Sequence, residues 1–295
     1  MMHQLKSIMK KFSIKDLENL SGIKAHTLRV WEHRYNFIKP QRTSANFRYY
    51  TVDELKRLLH LNLLNKNGHK ISQLAALHPE QIEEKIEMLG NDDDRKQRCL
   101  NDLLIAMYTL NTESFEQTLD LCFSSWPINE AMEDIIFVFL KKIGLLWSGG
   151  RLTEEHFAVT AIRKKIMAGI DAVQPTQRKD RSVLLFLPEG RQLDLGLLYA
   201  HYVLKQSGLQ VLYMGSDVSV SNLKTVFAHK KPQFIFTYLP EKTRFRVDEL
   251  LPYLHEHLDG STIVVATYSS HYKIPHEQAQ LVTLEYEQAL HYIAD

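Results

Sequence analysis

The chain has 295 residues, 44% of them hydrophobic, enough for two or more domains with separate cores. Its formal net charge is +1, but residues 1–75 hold 14 Lys/Arg against 5 Asp/Glu, a balance of +9 that leaves −8 on the remainder. No apolar run approaches the roughly 20 residues that span a bilayer, the N-terminus lacks a signal core, and Cys99 and Cys122 form no C-x-x-C pair, so neither a membrane protein nor a disulfide scaffold is expected and a cytoplasmic location is.

A basic module joined to an acidic body suits a polyanion binder with a separate sensing or assembly part. Residues 1–78 predict three helices. Ser13 starts the first, Ile14, Leu17 and Leu20 share one face, and Gly22 closes it. The second, IKAHTLRVWEHRY, carries an apolar stripe of Ile23, Leu28, Val30 and Trp31. The third, TVDELKRLLHLNLLNKNG, begins at Thr51 with Asp53 and Glu54 in its first turn. Between the last two lies IKPQRTSANFRYY, a short extended stretch with polar turn residues.

Residues 79–175 predict a bundle of four or five helices, seen in EQIEEKIEML, LNDLLIAMYTL, TESFEQTLDLCF, AMEDIIFVFLKKIGLLW and EEHFAVTAIRKKIMAGI. The acidic run GNDDDRKQ reads as a solvated link. In residues 180–295 the pattern alternates. SVLLFLP, QVLYMGS, FIFTYLP, TIVVAT and QLVTLE read as strands, with LDLGLLYAHYVLKQSG, SVSNLKTVFAHK and RVDELLPYLHEHL as helices between them. The expected fold class is α plus α/β: a winged helix-turn-helix, a helical bundle, and a five-stranded parallel Rossmann-like, flavodoxin-like domain.

The first two helices, joined at Gly22, make a helix-turn-helix. Lys24, His26 and Thr27, near the start of the second, are placed to meet base edges in a major groove. Arg29, Arg34, Arg42 and Arg48 are candidates for phosphates, which set affinity and register; Arg34 pairing with a nearby acid is the alternative. The run HTLRVWEHRYNFIKPQRTSANFRYYTVDELKRL resembles the N-terminal domain of MerR-type regulators at Thr27, Leu28, Arg29, Trp31, Glu32, Arg34, Pro40, Arg42, Thr43, Arg48, Tyr50, Thr51 and Leu55. The resemblance implies a wing over residues 38–50. It also puts Arg29, Arg42, Arg48 and Tyr50 at phosphate-facing positions, with Thr43 and Asn46 as further DNA-binding candidates in the wing. At the tip, Ser44-Ala45-Asn46 replaces the usual glycine-containing turn; asparagine tolerates the left-handed geometry required. Such regulators act on double-stranded DNA at pseudo-palindromic promoter sites, as homodimers or higher even assemblies such as homotetramers, with RNA polymerase as a further partner.

A helical bundle followed by a five-stranded α/β domain resembles cobalamin-binding modules, and MerR-type regulators that carry this pair exist, some of them light-responsive. The family's D/E-x-H-x-x-G loop corresponds here to PEGRQLDLGLL, with Arg191 at the acidic position, Leu193 at the cobalt-ligand position and Gly196 retained. Leucine cannot coordinate cobalt. The cap pattern W-x9-E-H is echoed by Trp147, Glu155 and His156 at shorter spacing; bundle core and a solvated helix start are the plain alternative. Thr237-Tyr238-Leu239 is close to the family's S-x-L, whereas Tyr268-Ser269-Ser270 stands where the family has Gly-Gly. The expectation is a cobalamin-domain fold without histidine ligation, for which cobalamin, another ligand and a purely oligomerising role are all open.

No enzyme is expected. His255-Glu256-His257 is not a metal pair on one helical face, and no dinucleotide, P-loop or nucleophile-elbow motif occurs. The competing readings are a corrinoid-binding enzyme or carrier subunit and a regulator whose C-terminal half binds a protein, for which Tyr268 and Tyr272 are candidates.

Overall fold

The computed structural model describes residues 11–144, 153–175, 179–189, 194–239, 261–267 and 281–295. Two compact units emerge, one of residues 1–145 with 152–158, the other of 146–151 with 159–295.

In the first unit, helix α1 (Ile14–Ser21) starts in a capping box: Asp16 N–H donates to Ser13 Oγ, and the Asp16 carboxylate accepts from Ser13 N–H. Gly22, at φ 77°, ends it. Helix α2 (Ala25–Tyr35) follows at once. Strands β1 (Gln41–Arg42) and β2 (Arg48–Tyr49) form the two-stranded antiparallel wing. Helix α3 (Val52–Lys66) has a second capping box, Thr51 with Glu54. Its buried Leu55, Leu58, Leu59, Leu61, Leu63 and Leu64 are the spine on which the other helices pack. A short helix, α4 (Ile71–Leu74), and α5 (Pro79–Glu87) lead to α6 (Asp92–Tyr108) and α7 (Thr112–Ser125). Helix α8 runs in three segments, Ile128–Glu130, π-helical Ala131–Ile136, and Phe137–Lys142.

Two sequence readings change here. The run DDDRKQ is not a link: Asn91 Oδ1 accepts from Asp94 N–H and caps α6, and Asp92, Asp93 and Asp94 form its first turn. Three acids suit a helix start because they meet the free N–H groups and the positive end of the dipole. On α2 only Leu28 of the expected stripe is buried, and Val30 is exposed.

Helix α9 (Thr153–Ala172) supplies its first residues to the first unit and Val159 onward to the second. The second unit holds β3 (Ser182–Pro188), α10 (Leu195–Gln206), β4 (Gln210–Val218), α11 (Val220–His229), β5 (Phe234–Leu239), β6 (Thr262–Thr267), β7 (Leu281–Glu285) and α12 (Tyr286–Ala294). All five strands are parallel, in the order β4-β3-β5-β6-β7. That is the strand order of flavodoxin-like folds, the class expected from the sequence. Six successive residues of β3, from Val183 to Pro188, are buried, as a central strand covered on both faces requires. On one face Leu184, Phe186, Ile235, Ile263 and Val265 pack with Leu223 and Phe227 of α11. Among the described residues no helix is long and apolar enough to cross a membrane, and both cysteines are free and buried.

Candidate nucleic-acid interface and ligand module

The short turn after Gly22 projects α2 from α1, and Tyr50 ties α2 to the wing. Its ring is 3% exposed, and its hydroxyl donates to Glu32 Oε2 at 2.8 Å. Burial, then the Glu32 hydrogen bond and charge, push this phenol well above the usual tyrosine range. The backbone of Tyr50 also exchanges both hydrogen bonds with Phe12. Tyr50 therefore does not stand out toward a ligand as the other named residues do. It holds the two elements in register.

The wing is built tightly. Asn46, at φ 64°, takes the left-handed geometry expected of it, and its Oδ1 accepts from the Arg42 guanidinium at 2.7 Å. Thr43 Oγ1 accepts from Phe47 N–H at 3.1 Å, and Thr43 N–H donates to Phe47 O at 2.9 Å. Arg42 and Arg48 are direct cross-strand partners. Like charges placed this way repel. Among the described residues no carboxylate lies at ion-pair distance from Arg29, Arg34, Arg42 or Arg48, so the local pairing considered for Arg34 is not made. His26, Arg29 and Arg34 on α2 are exposed, with Thr27 half-buried among them; Lys24, the exposed residue just before α2, lies 3.7 Å from Glu18. Sequence reasoning missed Phe47, whose ring at the wing tip is 73% exposed between Asn46 and Arg48. Its only signal was an aromatic residue inside a polar turn.

A basic face of this shape, on a helix-turn-helix with a wing, has a family counterpart. Residues 12–81 match the model of the MerR HTH family regulatory protein. Residues 12–81 are a MerR-family helix-turn-helix domain. Over 76% of its length the chain is 27% identical to the HTH-type transcriptional repressor CarH of Myxococcus xanthus, of which it covers 77%. It is 24% identical to the repressor CarA of the same organism, over 75% and 74%. The monomethylamine corrinoid protein of Methanosarcina barkeri superposes with a TM-score of 0.55 at 17% identity, covering 67% of this chain and 97% of that one. The chain joins a MerR-type DNA-binding domain to a module of cobalamin-domain fold, the make-up of a transcriptional regulator of that type.

The α/β unit puts its candidate ligand site where strand order reverses, between β3 and β5. Phe236 is the last residue of β5 that pairs with β3. Thr237 comes next, 1% exposed, with an Oγ1 that has no hydrogen-bond partner among the described residues. A buried hydroxyl left unsatisfied is costly and suits a polar group of a ligand. The imidazole ligand of cobalt has no such counterpart. Leu193 lies outside the described residues, but its side chain has no donor atom. His201 is half-buried: it stacks on Tyr213 at 5.3 Å, and burial lowers its pKa to about 4. Asp194 accepts from Arg163 at 2.6 Å and from the Tyr213 hydroxyl at 3.3 Å, which fixes the start of α10. Among the described residues no histidine stands at the start of α10 to ligate the cobalt of a corrin.

Gly196 lies in the buried first turn of α10, and its carbonyl accepts from the Tyr286 hydroxyl. Glu155 is 7% exposed, so it is no solvated helix start, while His156 is exposed. Leu239 ends β5. Trp147, Arg191, His255 to His257, Tyr268 to Ser270 and Tyr272 lie outside the described residues.

Proposed function

We propose that this chain is a sequence-specific transcriptional regulator, not an enzyme, that works in the cytoplasm as a homodimer or homotetramer on a pseudo-palindromic promoter site. The reading divides it into a DNA-binding domain (1–78), a helical cap (79–175) and an α/β sensor (180–295). One observation carries it: Arg42 and Arg48 face each other across the wing without a carboxylate beside them. The fold gains nothing from that repulsion, and a phosphate backbone relieves it. Lys24, His26 and Thr27 would read base edges, Arg29 and Arg34 would hold phosphates beside them, and Thr43, Asn46 and Tyr50 would keep the wing in shape. RNA polymerase is the partner through which such a regulator acts.

The similarity to two repressors makes repression the favoured direction. The orphaned Thr237 hydroxyl supports a small ligand in the α/β unit. If that ligand is a cobalamin, it is held without a loop histidine. The test is a gel-shift titration of the full chain on the promoter beside its own gene, with and without adenosylcobalamin, in dark and light. A saturable shift at the promoter, weaker on scrambled duplex, is expected. No shift in any arm sinks the reading. A shift that ignores adenosylcobalamin leaves the DNA reading standing and removes the cobalamin.

A further inference from the structure

The end of α1 raises a question of hydrogen-bond supply. The last carbonyls of a helix have no partner within it. Gly22 N–H takes the Glu18 carbonyl, and Ser21 Oγ donates to Leu17 O. The carbonyls of Leu20 and Ser21 are satisfied from elsewhere in the unit. Asn62 Nδ2 of α3 donates to Ser21 O at 2.9 Å, and Lys142 Nζ, the last residue of α8, donates to Leu20 O at 2.5 Å. The second bond joins residues 122 apart in sequence.

Lys142 is an odd choice for a tie of this kind. Its ammonium is half-buried, and burial together with nearby Lys66 lowers its pKa. Among the described residues no carboxylate pairs with it. Removing an ammonium from water costs free energy that one carbonyl returns only in part. An apolar side chain of similar length would pack there at lower cost. What the lysine provides is direction: a charge-assisted bond at the negative end of α1, on the carbonyl just before the turn that sets the angle of α2.

We propose that Lys142 is a positioning residue for DNA recognition, a tie from the last helix of the bundle to the helix-turn-helix turn that fixes the angle of α2 against the wing. It touches no DNA. The proposal rests on the DNA-binding reading, because its readout is operator choice. It also supplies a physical route from the bundle to the reading head. A change at the end of α8 would reach the turn through one hydrogen bond.

The test compares full-length wild type with Lys142→Met, Lys142→Gln and Lys142→Arg by fluorescence anisotropy. The probes are the duplex from the promoter beside the chain's own gene and a scrambled duplex of equal length. Loss of the tie should lower promoter affinity about tenfold in the Met and Gln variants. Affinity for scrambled duplex and the salt slope should hold within twofold, since no phosphate contact is lost. Arginine, which keeps a charged donor, should restore most of the ratio. Circular dichroism and melting report the fold of each variant. Unchanged promoter affinity in Met and Gln overturns the proposal, as does an equal fall on both duplexes. Loss of fold in both variants also overturns it, since the lysine would then be a structural tie alone. If wild type itself fails to prefer the promoter duplex, the DNA reading has failed, which the variants do not bear on.

Discussion

The two units place their polar side chains in opposite ways. The reading head leaves charge outside and unpaired: Arg29, Arg34, Arg42 and Arg48 all lack a carboxylate partner among the described residues. The α/β unit turns polarity inward, with Asp194 gripped by Arg163 and Tyr213, His201 stacked on Tyr213, and Thr237 buried without a partner among the described residues. The first arrangement attracts a large polyanion at long range and loses strength as salt rises. The second is insensitive to salt and suits a small ligand that replaces missing hydrogen bonds.

This contrast can be broken most strongly at the α/β core. Phe186, 0% exposed in β3, should cost about 3–5 kcal/mol as Phe186→Ala. Urea denaturation should show that loss in the α/β transition alone. A reading head that unfolds with it contradicts the division into two units. Next comes the wing. Arg42→Ala with Arg48→Ala should lower the slope of log K against log salt by about 2, and either alone by about 1. An unchanged slope removes them from the phosphate contacts.

A third test uses pH. His201 titrates near 6.5 when unfolded and at about 4 in the fold, so the folded α/β unit binds fewer protons between those values. Its stability should be full above pH 6.5 and fall as pH drops toward 4. His60 does the same in the first unit, but Asp102, raised by burial to about 6, favours the fold as pH falls and offsets part of that loss. Melts at pH 7 and pH 5 should therefore lower the α/β transition more than the other. His201→Gln should flatten the difference. The smallest effect is Tyr50→Phe, which deletes the bond to Glu32 and should cost about 1 kcal/mol while leaving the salt slope alone. An equal, severalfold fall in affinity for promoter and scrambled duplex with the fold intact would make Tyr50 a phosphate ligand after all.

What the sequence disclosed follows the range of the interactions. Ser13, Gly22, Thr51 and Asn46 act within a few residues of themselves, and each did locally what its chemistry predicts. The five strands were readable because parallel strands buried on both faces are continuous apolar runs. Asp92 to Asp94 were misread because acids serve a helix start as well as a linker, and only the Asn91 cap separates the two. Burial of Tyr50 and the tie from Lys142 depend on partners far along the chain, Glu32 and Leu20, that no local pattern marks. Val30 fits an apolar stripe by spacing, yet the neighbours that would cover it are not there.

The π-helical segment Ala131–Ile136 gives α8 a phase as well as a shape. A π turn holds one residue more than an α turn, so it works as an inserted residue that leaves the axis in place. Everything beyond it is rotated by about 100° relative to an uninterrupted α-helix, because 3.6 residues make a turn. Phe139 and Leu140 reach the core, and Lys142 reaches Leu20, only in that rotated frame. The six residues from Ala131 act as a gear tooth: removing one would leave a better helix and aim its last lysine away from the turn it holds.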